Sequence, residues 1–243
     1  MGGLATKHNV SKVLMKHQEL SRYVPETRFY DPELLRTMLQ RYKMVYVKPN
    51  NGTGGRGILR AEKTENGYRY QFNTKVHIFR TFQGMVQSMK QLMKDTPYVV
   101  QQGIHLLKHK GRAFDLRIMV QVNPRGEWET TGILGRVSHP DKIVTNLARG
   151  GVAVSIETLM KERASDLAQF KSRLYKFGER ASRHLHKAFP RIKELGLDIA
   201  LDRDLKIWIL EANPRPAIYG FKDLKDKSIY RKIYRYHKAY GDR

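Results

Sequence analysis

The sequence contains no cysteine among its 243 residues, which excludes disulfide bonds, thiolate metal sites and cysteine nucleophiles. It has no uninterrupted apolar run of about 18 residues, the length that a membrane-spanning helix requires. The first residues lack the apolar segment of a signal peptide. Internal repeats, low-complexity stretches and long linkers rich in Gly, Ser or Pro are also missing. These absences predict a soluble protein of the cytoplasm without a membrane span.

Hydrophobic residues make up 40% of the chain and charged residues 28%, a balance that is typical of folded globular proteins. A chain of this length can bury a sizeable apolar core. It can do so as one large domain or as two small domains in close contact.

The net charge is strongly positive, because 46 Lys and Arg residues stand against 23 Asp and Glu residues and give +23 at pH 7. A field of this sign attracts polyanions, among them nucleic acid, anionic lipid, nucleotide phosphates and acidic peptides. Composition does not choose among these partners. Nucleic-acid binding therefore stays an alternative interpretation.

Helical and strand patterns alternate along the chain. A helix is predicted over residues 9–22 with Asn9 as its N-cap, and a second helix starts at Pro32 after the N-cap Asp31. Apolar stripes predict further helices over residues 82–93 and 167–185 and a basic C-terminal helix, which docks on the body through Tyr230, Ile233, Tyr234 and His237. Strands are predicted at 44–48, 58–60, 68–72, 98–101, 116–122, 131–137, 197–201 and 206–212. The sequence therefore predicts an α+β fold.

A glycine-rich loop follows the predicted strand that ends at Lys48. Residues 49–57 read PNNGTGGRG, with four glycines in six residues. Backbone N–H groups of such a loop can approach phosphate oxygens closely, since no Cβ atoms intervene. The pattern is not a P-loop, because the lysine precedes the glycines. A flexible hairpin loop also fits the cluster, and Lys48 at the strand end favours a phosphate cradle.

The last predicted strand pair carries two carboxylates and an amide. In an antiparallel hairpin with an even-length loop, Asp198 lies on the same face as Ile209, Glu211 and Asn213, whereas an odd-length loop separates them. Hard oxygen ligands of this kind suit Mg²⁺. Ordinary solvated strand residues are the alternative. The metal interpretation is favoured because Glu211 and Asn213 follow a strongly apolar run, where polar side chains usually need a partner.

In their order and spacing, several short motifs together resemble the ATP-grasp superfamily, and within it most closely the YheC/YheD group. The resemblance covers nearly the whole chain. The motifs are Ser11-Lys12, Pro25-Glu26-Thr27, Lys48-Pro49 with the glycine-rich loop, residues 100–104, Asp115-Leu116-Arg117, residues 145–151, Asp198, and Glu211-Ala212-Asn213.

The resemblance implies the ATP-grasp fold, in which two α+β subdomains hold the nucleotide between them. The N-terminal part, residues 1–104, would contain the lysine helix, the glycine-rich loop and the hinge. The C-terminal part, residues 105–243, would contain the Mg²⁺-binding strand pair and the basic C-terminal helix. We expect the chain to lack the additional N-terminal domain of many family members. It would then be either a minimal form or dependent on a homo-oligomer or a partner protein that replaces this domain.

The resemblance also implies roles for individual residues. Lys48, Arg117 and Asn146 would be catalytic, with Arg117 and Asn146 neutralising charge on the transferred phosphoryl group. Asp198, Glu211 and Asn213 would bind Mg²⁺, with Mn²⁺ as an alternative metal. The ATP-binding residues would be Lys12, Lys48, Gly52, Gly54, Gly55 and Gly57, together with the adenine hinge Gln101, Gln102, Gly103 and Ile104. The candidates for contact with an acidic substrate are Arg136, Arg149, Gly150, Gly151 and Arg215, since a guanidinium can bind a carboxylate bidentately.

Three functions from different classes are compatible with these observations. The first is a Mg-ATP-dependent ligase that joins a carboxylate to an amine through an acyl phosphate and releases ADP and phosphate. Its acidic substrate would be a small molecule, a peptide or a polymer. The second is a catalytically silent ATP-binding protein with a structural or assembly role, and spore association is implied by the endospore coat-associated description of the family. The third is a basic nucleic-acid-binding protein.

Overall fold

A computed structural model describes residues 6–52, 54–93 and 96–241. The described residues do not include Thr53 of the glycine-rich loop. They also do not include residues 1–5 and 242–243, which belong to the outer ends of the two predicted parts. The α-helices are α1 Lys7–Met15, α2 Pro32–Tyr42, α3 Phe82–Leu92, α4 Ile156–Met160, α5 Leu167–Ala188 and α6 Lys227–Gly241. Short 3-10 helices occupy Leu20–Tyr23, Leu147–Arg149 and Tyr219–Asp223.

The strands form two antiparallel sheets. They are β1 Thr27–Phe29, β2 Met44–Pro49, β3 Leu59–Thr64, β4 Gly67–Phe72, β5 Lys75–Phe79, β6 Tyr98–Gln102, β7 Lys108–His109, β8 Arg112–Val122, β9 Trp128–Val137, β10 Val152–Val154, β11 Glu194–Leu201 and β12 Ile207–Asn213. The first sheet has the order β1-β6-β2-β3-β4-β5, and the second has the order β10-β9-β8-β11-β12 with β7 paired to β8. The predicted α+β class is confirmed.

Helices α2 and α3 pack against the first sheet and bury their apolar stripes there. As predicted, α2 begins after Asp31, whose Oδ1 accepts hydrogen bonds from the N–H groups of Glu33 and Leu34 at 2.9 and 3.1 Å. Pro32 occupies the first helical position and has no backbone N–H, so it adds no unsatisfied donor there. The core under these helices contains Leu35, Met38, Leu39, Val45, Val47, Leu59, Met85, Met89 and Val100.

The second sheet is covered by the longest helix, α5, which buries Phe170, Leu174, Phe177 and Leu185 against it. Helix α1 also joins this core through Val10 and Leu14. Helix α1 belongs to the predicted N-terminal part, residues 1–104, but it packs in the core of the second sheet, whose strands come from residues 105–243. No helix in the described part of the chain combines the length and apolar character that a membrane crossing demands.

Helix α1 differs from its prediction at both ends. Its N-cap is Thr6, whose Oγ1 accepts a hydrogen bond from the N–H of Asn9 at 3.2 Å, so Asn9 lies inside the helix. The helix ends at Met15 rather than continuing to residue 22. Beyond it, His17 Nδ1 accepts hydrogen bonds from the N–H groups of Glu19 and Leu20 at 3.2 and 3.3 Å, which stabilises a turn.

The C-terminal helix α6 docks on the second sheet, as predicted. Ile233 is fully buried, and the side chain of His237 lies 2.9 Å from a carboxylate oxygen of Glu194. Buried Gln121 donates to the Ile233 carbonyl at 3.1 Å. Tyr234 was also expected on the docking face, but its side chain is 48% exposed and does not lie there.

Candidate functional site

A cavity opens between the two sheets, with about 800 Å³ of empty space counted out to its mouth. Its apolar lining residues are Tyr46, Ile58, Ile104, Leu106, Ile143, Val144 and Leu210, and its charged ones are Lys7, Lys48, Arg56, Asp115, Arg136, Asp198 and Glu211. A large concave site with apolar walls and a few convergent charged groups is the usual form of a small-molecule site. The lining suits a ligand that has both an apolar part and a charged part.

A β-bulge brings Asp198 and Glu211 together in this cavity. The turn between β11 and β12 comprises residues 202–206 and is therefore the odd-length alternative. Regular pairing around this odd loop would place Asp198 opposite Leu210. The register shifts by one residue next to Asp198, which therefore lies opposite Glu211 on the same face. Ile209, expected on this face, packs in the core instead.

Lys48 is buried at the end of β2, where its ammonium faces the bulge. Its Nζ donates to Gln101 Oε1 at 2.8 Å and to the Leu210 carbonyl, exposed by the bulge, at 3.3 Å. Burial lowers the pKa of Lys48 from 10.5 to about 8, because desolvation and the charge of Lys7 outweigh the attraction of the nearby carboxylates of Asp198 and Glu211. The structure thus holds a desolvated cation in the cavity wall.

A second cation in the cavity is Lys7, which the sequence analysis did not single out. Its ammonium lies 3.1 Å from Glu211 Oε1 and also donates to the Gly52 carbonyl. Lys12 is exposed and does not line the cavity. The structure thus places Lys7, rather than Lys12, in the cavity wall, and the nucleotide-contacting role of Lys12 stays a prediction.

Arg117 and Arg136 hold Asp198 between them in a buried network. Arg117 Nε donates to Asp198 Oδ1 at 2.5 Å, and Arg136 Nη2 lies 2.9 Å from Asp198 Oδ2. Arg136 also binds both oxygens of Asp115, at 2.8 and 2.5 Å, and Thr145 donates to Asp115 Oδ2 at 2.7 Å. Burial alone raises the pKa of Asp198, but the two guanidinium groups outweigh burial and lower it below its ordinary value.

This network leaves Arg136 with few free donors. Its guanidinium is already bound bidentately by a protein carboxylate, which is the interaction that was predicted for an acidic substrate. Arg117 lies behind Asp198 and does not line the cavity. Asp115 belongs to a motif that the sequence analysis recognised but received no role there, since only the pairing of β8 with β9 places it opposite Arg136.

The glycine-rich loop closes the cavity against the segment that follows Ile143. Gly55 has φ +71°, and a Cβ added there would lie 2.6 Å from Asn146 Oδ1. Arg149 Nε donates to the Gly54 carbonyl at 3.3 Å. The structure therefore brings the predicted Asn146 and Arg149 together with the loop. Gly52 lines the cavity, whereas Gly54 and Gly57 form the turn without lining it.

Two amides of the predicted adenine hinge are already used by the protein. The N–H of Gln102 donates to the Glu26 carbonyl at 2.8 Å, and the N–H of Gly103 donates to the Met44 carbonyl at 3.0 Å. Gln102 and Ile104 line the cavity, whereas Gly103 packs so tightly on Met44 that a Cβ would lie 2.1 Å from its sulfur. Pairing of this stretch with adenine stays a prediction.

The remaining substrate candidates lie near the mouth of the cavity or beyond it. Gly151 packs against the Thr145 carbonyl, which a Cβ would approach to 2.4 Å. Gly150 is exposed, with φ +84°, and ends the short 3-10 helix. Arg215 is exposed two residues after Asn213. These residues shape or border the site without lining it.

The donor set of the predicted metal site fits Mg²⁺ in chemistry. Asp198 and Glu211 line the cavity, and Asn213 Nδ2 lies 3.5 Å from Asp198 Oδ2, so the three side chains are adjacent. The part of the chain that the structure describes holds no group of three or more His, Asp or Glu residues that could bind a metal alone. Two carboxylates and an amide suit an ion that completes its shell with phosphate oxygens, as Mg²⁺ commonly does.

Two curated relatives match most of the chain. Endospore coat-associated protein YheD of Bacillus subtilis (strain 168) is 27% identical over 218 residues, which cover 87% of this chain and 48% of that protein. Endospore coat-associated protein YheC of the same organism is 26% identical over 221 residues, 88% of this chain and 61% of that protein. The chain thus spans about half to three fifths of the length of these relatives.

Solved structures show the same fold at low sequence identity. The ADP complex of purK, an N5-carboxyaminoimidazole ribonucleotide synthetase, has a TM-score of 0.58 at 13% identity, with 96% of this chain and 51% of that chain covered. The ATP-grasp ligase PsnB, complexed with a minimal precursor, has a TM-score of 0.53 at 17% identity, covering 90% and 55%. The predicted ATP-grasp fold is confirmed. A model described as YheC/D like ATP-grasp matches residues 2–242, and the chain therefore belongs to that family.

Proposed function

We propose that the cavity binds Mg-ATP and that the protein joins a carboxylate to an amine with release of ADP and phosphate. The observation that carries this proposal is the meeting of two lysines and two carboxylates in a cavity whose walls also include apolar side chains. Lys7 and Lys48 supply positive charge for phosphates, and Asp198 and Glu211 supply ligands for Mg²⁺. The apolar walls suit the adenine ring.

The chemistry follows from these charges. A substrate carboxylate oxygen attacks the γ-phosphorus of ATP, the bond to the β-phosphate oxygen breaks, and ADP leaves. The amine then attacks the acyl carbon of the acyl phosphate, phosphate leaves, and the amine loses a proton. Lys7 and Lys48 orient the phosphates and offset their charge at the cavity wall. Bound Mg²⁺ would supply Lewis-acid stabilisation of the phosphate oxygens.

Arg117 is proposed to act through Asp198 rather than on the phosphoryl group directly. Its Nε is committed to Asp198 at 2.5 Å, and both are buried. Asn146 lies at the cavity surface beside the glycine-rich loop and is better placed to contact the transferred group. The acidic substrate is proposed to enter past Arg149 and Arg215, which lie outside the carboxylate-bound network. A homo-oligomer or partner protein is proposed to complete this side.

The test is calorimetric titration of a non-hydrolysable ATP analogue into the protein, with and without Mg²⁺. Wild type should show saturable binding that Mg²⁺ strengthens, and Glu211→Gln should lose the Mg²⁺-dependent gain because one charged ligand is removed. Glu157→Gln is the matched control, since Glu157 pairs with Lys171 on the surface and outside the cavity. The proposal fails if folded wild-type protein does not bind the analogue, or if Glu211→Gln binds it as wild type does.

A catalytically silent ATP-binding protein with an assembly role in spores is the second candidate. The observation that favours it is the engagement of both Asp198 oxygens by guanidinium groups, at 2.5 and 2.9 Å, which competes with metal coordination. Both relatives are named as endospore coat-associated proteins, and spore association of this chain is proposed on that basis. Saturable ATP binding without ADP release, for any of a panel of acidic acceptors with amine donors, would favour this candidate over the ligase.

A further inference from the structure

A groove on the outer face of α5 carries a row of basic side chains outside the cavity. We call it the basic groove. Its base is the exposed stripe Arg173, Lys176, Arg180, Arg183 and Lys187, and its walls are formed by His17 and Tyr23 on one side and residues 204–207 on the other. It encloses about 1770 Å³ of empty space, counted out to its mouth, and shares no lining residue with the cavity between the sheets.

The five cations follow one another at spacings of three and four residues, which places them in a single row along the helix. Fourteen residues separate the first from the last, so the row is about 21 Å long at the rise of an α-helix. Like charges at these spacings destabilise a helix. The row therefore costs folding free energy, and its folded neighbours offset little of that cost.

Acidic neighbours neutralise only part of the row. Arg180 lies 2.6 Å from Glu19, and Arg183 lies 3.2 Å from Glu179, both on the surface. Exposed ion pairs of this kind contribute little to stability and can exchange their partner. Lys176 and Lys187 are exposed without such a pair among the described residues. The row is thus available to an external anion with regularly repeated charges.

The lining of the groove discriminates among polyanions. The apolar lining residues Phe177 and Ile207 are only 2% and 4% exposed and Leu205 is half-buried, so the groove offers little apolar surface to the side chains of an acidic peptide. It does offer rings at one wall, where His17 meets His184 edge to face with centroids 4.6 Å apart, and Tyr23 lies nearby. A cationic groove with rings beside it is the arrangement that binds single-stranded nucleic acid.

We propose that the basic groove binds the phosphate backbone of single-stranded nucleic acid, with the cations of α5 on successive phosphates and bases against the wall of His17 and Tyr23. This site is separate from the proposed nucleotide site. The proposal also gives a role to the five cations of the row, none of which lines the cavity where ATP is proposed to bind.

The test uses fluorescence anisotropy of a labelled oligothymidylate of about fifteen nucleotides with the full chain. The groove variant combines Lys176→Gln, Arg180→Gln and Lys187→Gln. The control variant combines Lys225→Gln, Arg231→Gln and Lys238→Gln, which removes the same residue types from exposed positions near and on α6. Binding of the ATP analogue and thermal unfolding are measured on all three proteins to establish that each is folded.

Three lost phosphate contacts should weaken binding about 100-fold at about 0.1 M salt, and should reduce the slope of log K against log salt by about 2. The control should stay within about fivefold of wild type, since it loses only long-range attraction. Absence of binding to wild type, or equal weakening in both variants, would overturn the proposal. The proposal would also be overturned if a DNA duplex or polyglutamate competed with the oligothymidylate as well as an unlabelled single strand does, because the groove would then distinguish polyanions by charge alone.

Discussion

Replacement of the buried lysine in the cavity should change how protein stability depends on pH. The pKa of Lys48 is about 8 in the folded protein and 10.5 when solvated, so between these values the unfolded chain holds more protons than the folded one. The free energy of unfolding therefore rises with pH across this window. The shift of about 2.5 units corresponds to about 3 kcal/mol at 1.36 kcal/mol per unit. Lys48→Met lacks this contribution.

The assay is urea unfolding of wild type and Lys48→Met at several pH values from 7 to 10.5, without nucleotide or metal. The quantity of interest is the difference between the two unfolding free energies, in which other titrating groups cancel. We expect wild type to gain about 3 kcal/mol relative to the variant over this range. Val47→Ala, a buried change on the same strand without a titratable group, should show a constant difference. If the difference in unfolding free energy between wild type and Lys48→Met is also constant with pH, the desolvation of Lys48 is refuted.

Two further variants test the cavity wall. Gly55→Ala places a Cβ against Asn146 Oδ1, whereas Gly54→Ala carries similar backbone strain without any atom within 4 Å. Calorimetry with the ATP analogue should show weaker binding for Gly55→Ala than for Gly54→Ala, and equal affinities would contradict a role of the loop contact. Asp115→Asn removes a charged partner of buried Arg136 and should lower the unfolding free energy by about 3 kcal/mol. Exposed Asp141→Asn is the control in urea unfolding, and a comparably small effect of both changes would contradict the network.

The helices and strands that the sequence predicted were recognisable because they bury a periodic apolar face. The prediction missed the short elements β1, β5, β7, β10 and α4, and β5 is largely exposed. The stripes of α2, α3 and α5 and the apolar strands of both sheets lie where hydrophobic spacing placed them. The start of α1 was misplaced because two residues, Thr6 and Asn9, are both good N-caps, and only the folded backbone decides between them. Lys12 was singled out by the family resemblance, whereas Lys7 lines the cavity.

The site was less predictable because its contacts join distant segments. Asp198 and Glu211 share a face, but through a bulge at Leu210 that compensates for an odd-length turn, and no local pattern signals it. Arg136 looked available for substrate because Asp115, its partner, lies 21 residues earlier in the chain. Sequence reasoning identified Lys48, Asp198 and Glu211 as charged residues of the site but missed Lys7. It cannot say which of them already neutralise one another.

The connection between the two sheets has a mechanical consequence. The chain crosses between them at residues 24–27 and again at 102–107, and the crossings are joined by hydrogen bonds between Gln102 and Glu26 at 2.8 and 3.3 Å. We expect these bonds to oppose sliding of one sheet past the other and to favour rotation about this joint. Because the chain has no cysteine, thiols introduced at exposed Ile78 and Arg183 would carry a pair of spin labels at defined places. With two chain crossings side by side, the cleft would open and close about one axis. The distance between the labels should then change to one new value on nucleotide addition rather than to a broad distribution.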